Sequence, residues 1–190
     1  MLEWIQRGLG QGRITTRYPR IAADALDAMA GVSAPAQPYL APARPPLAAQ
    51  AGRLRRSIHV RHIDCGSDGS EEWEIQSLWN PYYDIQRLGF FLTNSPRHAD
   101  LLLVTGPVTA PMRAPLERTW EVMPAPKVLV AVGDEACARG LCQADGLTAG
   151  GVDAVLDVDV YVPGAPPPPV AILDGLLLAV GLPVPQRAAA

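Results

Sequence analysis

A doubly wound α/β sheet preceded by an extended N-terminal arm is the architecture this sequence predicts. From about residue 54 strand and helix signals alternate, the pattern of helices laid on both faces of a mostly parallel sheet. Ala99 to Thr105 and Lys127 to Val132 carry the near-continuous apolar runs of strands buried on both faces. The first strand runs into a glycine-bearing loop, Asp64-Cys65-Gly66-Ser67-Asp68-Gly69-Ser70, which opens a helix. Open α/β sheets place ligands at such a carboxyl edge.

Residues 1–50 read as the arm. Leu2, Ile5 and Leu9 share a face of a short amphipathic helix, Ile14 to Pro19 is extended, and Ala34 to Ala49 is mostly Ala and Pro. That last composition disfavours helices and sheet ladders alike and predicts a tether. The amphipathic piece cannot bury its face alone, so it packs on the body, on another subunit or on a membrane surface.

The body spans residues 51–182, with 183–190 as a disordered tail. Ser57 to Ile63 is its first strand, with Ile58 and Val60 on one face, and Glu72 to Trp79 has helical spacing. Asn80-Pro81 starts a second helical stretch through Tyr83, Ile85 and Leu88 to Gly89. After the strand Ala99 to Thr105, a helix over Pro111 to Met123 stops at Pro124. The strand Lys127 to Val132 leads into a short helix, Glu135 to Leu141, and Ala154 to Val162 alternates as a further strand. A proline-rich turn then enters the last helix, Val170 to Val180. Right-handed crossovers put the loops after residues 63, 105, 132 and 162 along one sheet edge.

The chain has 190 residues, 48% of them hydrophobic and 18% charged, enough for one well-packed domain with an appendage. A net charge of -3 argues against a nucleic-acid partner, which needs clustered Lys and Arg. The one basic cluster, Arg53 to Arg56 with Arg61 beyond it, reads as a solvated or subunit-facing edge. Cys65, Cys137 and Cys142 are too few and too irregularly spaced for a disulfide framework, and no signal peptide precedes them, so the expected setting is cytoplasmic. The longest apolar run, Pro169 to Val184, carries Asp174 and is too short to span a bilayer. No phosphate loop or nucleophile elbow occurs. His59, His62 and His98 have no nucleophile close in sequence, and packing or a hydrogen bond is the preferred reading for His98.

Several motifs carry a family resemblance. Asp64-x-Gly66-Ser67-x-x-x-x-Glu72-x-Glu74-Ile75, then Tyr83-Asp84-Ile85-x-Arg87-x-Gly89, resembles the small, cluster-bearing subunit of membrane-bound nickel–iron hydrogenases and the homologous 20 kDa (B-type) subunit of complex I. So do Ser95-Pro96-Arg97-His98-Ala99-Asp100 with the strand to Thr109, Ala131-Val132-Gly133-Asp134, and Tyr161-Val162-Pro163-Gly164 with Pro166-Pro167. The match runs in order over about 57–180. Trp4 to Pro19 is more weakly similar to the opening of the accompanying ferredoxin-type subunits, without their cysteine runs. The resemblance implies a flavodoxin-like fold that holds one 4Fe-4S cluster at the interface with a large subunit. It further implies four cysteine ligands, and the corresponding positions here are Asp68, Glu71, Glu135 and Ala165.

Three hard carboxylates and a methyl group do not replace soft thiolates. Cys65 and Cys137 lie near the first and third positions and would supply at most two ligands. The expectation is therefore a cluster-free structural subunit of a complex-I-like or membrane-hydrogenase-like assembly, with no independent catalysis. It would sit on the inner face of the cell membrane and bridge a large soluble subunit to membrane subunits. The alternative is an electron-transfer oxidoreductase subunit that retains an altered 4Fe-4S cluster. Asp68, Glu71 and Glu135 could also form a site for a hard divalent cation. Against that stands helix capping, with Asp68 and Glu71 spaced as a capping box and Glu135 opening a helix. Asp84, Arg87, Arg97 and Asp100 are the expected interface residues, as buried or interfacial ion pairs toward the large subunit.

Overall fold

The computed structural model describes residues 38–40, 57–138, 140–141, 144 and 146–184. All of them belong to one compact unit, Pro35–Ala190. The expected N-terminal helix, the ferredoxin-like opening, the basic cluster at 53–56, Cys142 and the tail from 185 lie outside the described residues.

Six strands form one sheet: β1 (Tyr39–Leu40), β2 (Ile58–Asp64), β3 (Phe90–Leu92), β4 (Leu101–Thr105), β5 (Val128–Val132) and β6 (Val160–Val162). Their spatial order is β1-β6-β5-β4-β2-β3. Every pair is parallel except β1 with β6. The five parallel strands follow the order second-first-third-fourth-fifth, the flavodoxin-like arrangement with its switch point between β2 and β4.

Among the described residues three helices cover the two faces: α1 (Ser70–Ser77), α2 (Ala110–Val122) and α3 (Pro169–Ala179). Ile58, Val60, Leu101, Leu103, Val130 and Val162 pack with Ile75 of α1 and Ile172 and Leu176 of α3. The alternate residues Ile63, Leu102, Val104, Leu129 and Ala131 pack with Leu116 of α2. Every residue of β4 and β5 is buried, as their unbroken apolar sequence requires of strands covered on both sides. Among the described residues no helix is long and apolar enough to cross a membrane.

The elements differ from the expectations in five places. Tyr39–Leu40, within the presumed tether, adds an antiparallel edge strand to β6, and the Tyr39 and Tyr161 rings stack at 5.1 Å. The helix expected from Asn80 shrinks to a 3-10 turn, Ile85–Leu88. The Asn80 side chain accepts the Tyr82 and Tyr83 amides and Asp84 takes a left-handed φ of 44°, so no helical ladder propagates. The chain then enters β3, which is too short to show a strand period. In place of the helix expected over Glu135 to Leu141, Glu135 to Ala138 form a turn, because Ala138 sits at φ 56° and the Glu135 carboxylate accepts the Leu141 amide at 2.8 Å. The last strand begins at Val160, after a 3-10 turn at Val152–Ala154. Just before it, Asp159 accepts the Leu129 amide on its side chain at 2.8 Å.

Candidate functional site

The carboxyl ends of β2, β4, β5 and β6 bring four loops together, as the right-handed crossovers require. The first loop is built on local side-chain bonds. Asp64 Oδ1 accepts the amides of Gly66 and Ser67, each at 2.8 Å, and Asp68 Oδ1 accepts the Ser70 amide at 2.9 Å and its hydroxyl at 2.5 Å. Those bonds from Ser70 hold the exposed Asp68 carboxyl below the usual carboxylate range. Gly69, in the left-handed region at φ 90°, is the N-cap of α1 and no side chain caps it. The capping box expected of Asp68 and Glu71 is therefore replaced by a turn that Asp68 closes on Ser70.

The second loop presses against the first. Gly106 has a φ of 79°, and a Cβ there would meet Ser67 N at 2.5 Å and the Gly66 carbonyl carbon at 2.7 Å. Only glycine permits both the turn and the approach. Beneath this contact, at the switch point, lies a polar network. Thr105 Oγ1 donates to Glu72 Oε1 at 2.5 Å, Ser67 Oγ donates to Glu72 Oε2 at 2.6 Å, and His62 Nε2 is 3.1 Å from Thr105 Oγ1. Because the Thr105 proton goes to Glu72, the His62 proton belongs on Nε2. Burial lowers the His62 pKa, although Glu72 Oε1 only 3.4 Å from the ring acts in the opposite direction. Desolvation outweighs the attraction here. His62 shares the core-facing side of β2 with Ile58 and Val60, and this alternation was the one sequence signal for the network. Ser67 and Glu72 stood in the sequence only as members of the family motif and Thr105 only as the end of a strand, with nothing to pair them.

The sequence-predicted acids do not converge. Glu71 turns inward, is 5% exposed and lies over the backbone of Gly133 in the third loop, and burial raises its pKa. Glu135 faces Gly140 and the Leu141 amide, while Asp68 is exposed beside Ser70. Among the described residues no three His, Cys, Asp or Glu side chains gather to hold a metal ion. Ala165 is exposed in the fourth loop. That loop is tied to the third by the Asp134 amide donating to the Gly164 carbonyl and the Gly164 amide donating to Asp134 Oδ1, both at 2.8 Å.

Cys65 is fully buried beside α2 in the core, and burial, reinforced by Asp64, pushes its thiol up to about 12. Cys137 is also buried, with its Sγ 3.7 Å from the Ala131 carbonyl oxygen. Trp73, which could have filled a vacated site, is 73% exposed on the outer side of α1. Of the expected interface residues, Asp84 and Arg87 pair with each other at 3.7 Å on the surface, and Arg97 is exposed. Asp100 turns inward to accept the His59 amide at 2.9 Å. His98 is exposed, so it does not pack into the core.

The profile of the NADH ubiquinone oxidoreductase 20 kDa subunit family matches residues 68–179. Formate hydrogenlyase subunit 7 of Escherichia coli is 41% identical over 130 residues, which cover 68% of this chain and 51% of that protein. The chain thus matches about half the length of that relative. The probable membrane-bound hydrogenase subunit mbhJ of Pyrococcus furiosus is 42% identical over 67% of this chain and 76% of its own length. Among solved structures, a chain of the membrane-bound sulfane sulfur reductase, an archaeal respiratory membrane complex, superposes with a TM-score of 0.59 at 29% identity, covering 67% of this chain and 70% of that one.

Proposed function

Because the chain belongs to the NADH ubiquinone oxidoreductase 20 kDa subunit family, we propose that it is a non-redox structural subunit of a complex-I-like or membrane-hydrogenase-like assembly. In this reading it bridges the large soluble subunit to the membrane subunits and carries no cluster. The subunit role is supported by relatives and a structural neighbour whose names place them in hydrogenases and respiratory membrane complexes.

One observation carries the cluster-free part. The four loop positions that the family resemblance aligns with cluster cysteines hold Asp68, Glu71, Glu135 and Ala165. A cluster of this kind requires soft, deprotonated sulfur, so this donor set does not fit one. The two described thiols do not compensate, since both are buried and Cys65 is held protonated. What the fold retains is a rigid sheet with an ordered loop edge, sufficient for a part whose role is to join others.

Iron and acid-labile sulfide analysis of anaerobically purified protein tests the reading, together with co-purification from cells expressing the assembly. The expected result is substoichiometric iron and sulfide in a chain that co-purifies with a large and a membrane subunit. Stoichiometric iron and sulfide would instead support the electron-transfer alternative, and a stable monomer with no partner would remove the scaffold role.

A further inference from the structure

Without a cluster to tie them, as the reading above has it, the first, third and fourth loops need internal contacts to keep their positions, since edge loops with few buried contacts open easily. We propose that Glu71 supplies that contact: its side chain fills the interval between the first and third loops and plugs the sheet edge from within. The inference rests on the cofactor-free reading above and identifies what stands in place of the cofactor.

Glu71 is 5% exposed although it stands in the first turn of α1, where a carboxylate usually faces water. Its carboxyl covers the Gly133 backbone so closely that a Cβ on Gly133 would sit 2.5 Å from Oε1 and 2.9 Å from Cγ. Ser70 Oγ, whose proton goes to Asp68, lies 3.2 Å from Oε2. The surface it packs on is anchored in turn. The Gly133 amide donates to the Val162 carbonyl at 2.9 Å, and the Gly133 carbonyl accepts the Cys137 amide at 3.0 Å. Asp134 extends the linkage to Gly164 through the two bonds already described. A single carboxyl at the start of α1, directly after the first loop, therefore bears on the third loop, and the third is bonded to the fourth. Any group requiring space between these loops competes with the Glu71 side chain for the same volume.

Thermal unfolding of the full chain, combined with amide hydrogen exchange, tests the plug. Glu71→Gln preserves volume and hydrogen bonding and is expected to unfold within about 2 °C of the parent, whereas Glu71→Ala lowers the midpoint by roughly 5 °C. Exchange at 133–137 and 162–167 is expected to accelerate in Glu71→Ala and to stay unchanged in Glu71→Gln. Gly133→Ala is strained by its φ of 94° in either background. Its loss of midpoint should nevertheless shrink markedly when Glu71→Ala removes the clash. Additive losses in the double variant, or unchanged exchange in Glu71→Ala, would overturn the plug. The exchange result decides the matter even if Gly133→Ala does not fold. Iron content of the same preparations separates two failures: additivity in iron-free protein removes the plug alone, while stoichiometric iron removes the cofactor-free reading with it.

Discussion

Thr105, at the carboxyl end of β4, donates its hydroxyl to Glu72 of α1 across 2.5 Å. Thr105 is wholly buried and Glu72 is partly so, and the bond joins the switch-point strand to the helix above it. Thr105→Val keeps the shape and removes the donor, leaving Glu72 and His62 short of a partner. The expected loss is about 1–3 kcal/mol in urea unfolding, and Thr105→Ser should recover most of it.

Stability should depend on pH through His62. Burial lowers its folded pKa below the ordinary 6.5, so its contribution is complete above that value and is lost as pH falls from it toward the folded pKa. The slope for one proton is at most about 1.4 kcal/mol per pH unit. Glu71 has the opposite sign, because its raised pKa gives stability that is complete below the ordinary 4.5 and is lost as pH rises through the folded value. Denaturant unfolding from pH 7 to 5 on the parent and on His62→Gln checks the His62 effect. The parent should lose more stability over that interval than the variant.

Cys65 should be inert in the native protein. Its thiol, pushed up to about 12 and buried, presents almost no thiolate at pH 8. Iodoacetamide labelling read by peptide mass mapping should leave Cys65 unmodified until denaturant is added. Rapid native labelling of that peptide would contradict the buried placement.

Gly106→Ala should be among the more damaging single changes in the loops. The added carbon meets Ser67 N and the Gly66 carbonyl carbon, both backbone atoms, and the left-handed φ adds strain. A loss of roughly 2–4 kcal/mol is expected, with faster amide exchange across 64–69 as the independent sign that the first loop has moved.

Trp73 is the residue to test for partner binding, being 73% exposed beside the loop edge. Under the subunit reading, Trp73→Ala weakens association with the large subunit by about 10- to 100-fold and changes the chain's own stability by under about 0.5 kcal/mol. Arg97→Glu, at another exposed position, should reduce assembly in the same co-purification. Unchanged assembly in both variants would place the interface elsewhere.

The sequence by itself determined the parts governed by local pattern. Unbroken apolar runs identified β4 and β5, because a strand covered on both faces has no polar side to present. Glycines and prolines marked the four loops, and the motifs from Asp64 to Pro167 pointed to the family that the profile match then showed. Residue identity alone also gave carboxylates at positions 68, 71 and 135 and a methyl group at 165.

Only the tertiary structure decided where those side chains go. Glu71 and Glu72 are neighbours in sequence with the same chemistry, yet one packs over Gly133 and the other accepts the hydroxyls of Thr105 and Ser67. Successive helical positions point about 100° apart, so the fate of each depends on which strand end lies beneath it. Tyr39–Leu40 likewise joined the sheet through a partner strand some 120 residues away, a pairing that no local period encodes. Local pattern specifies elements because their hydrogen bonds and faces are short-range. The packing of four loops at one edge depends on contacts between distant residues, and these exist only once the sheet has assembled.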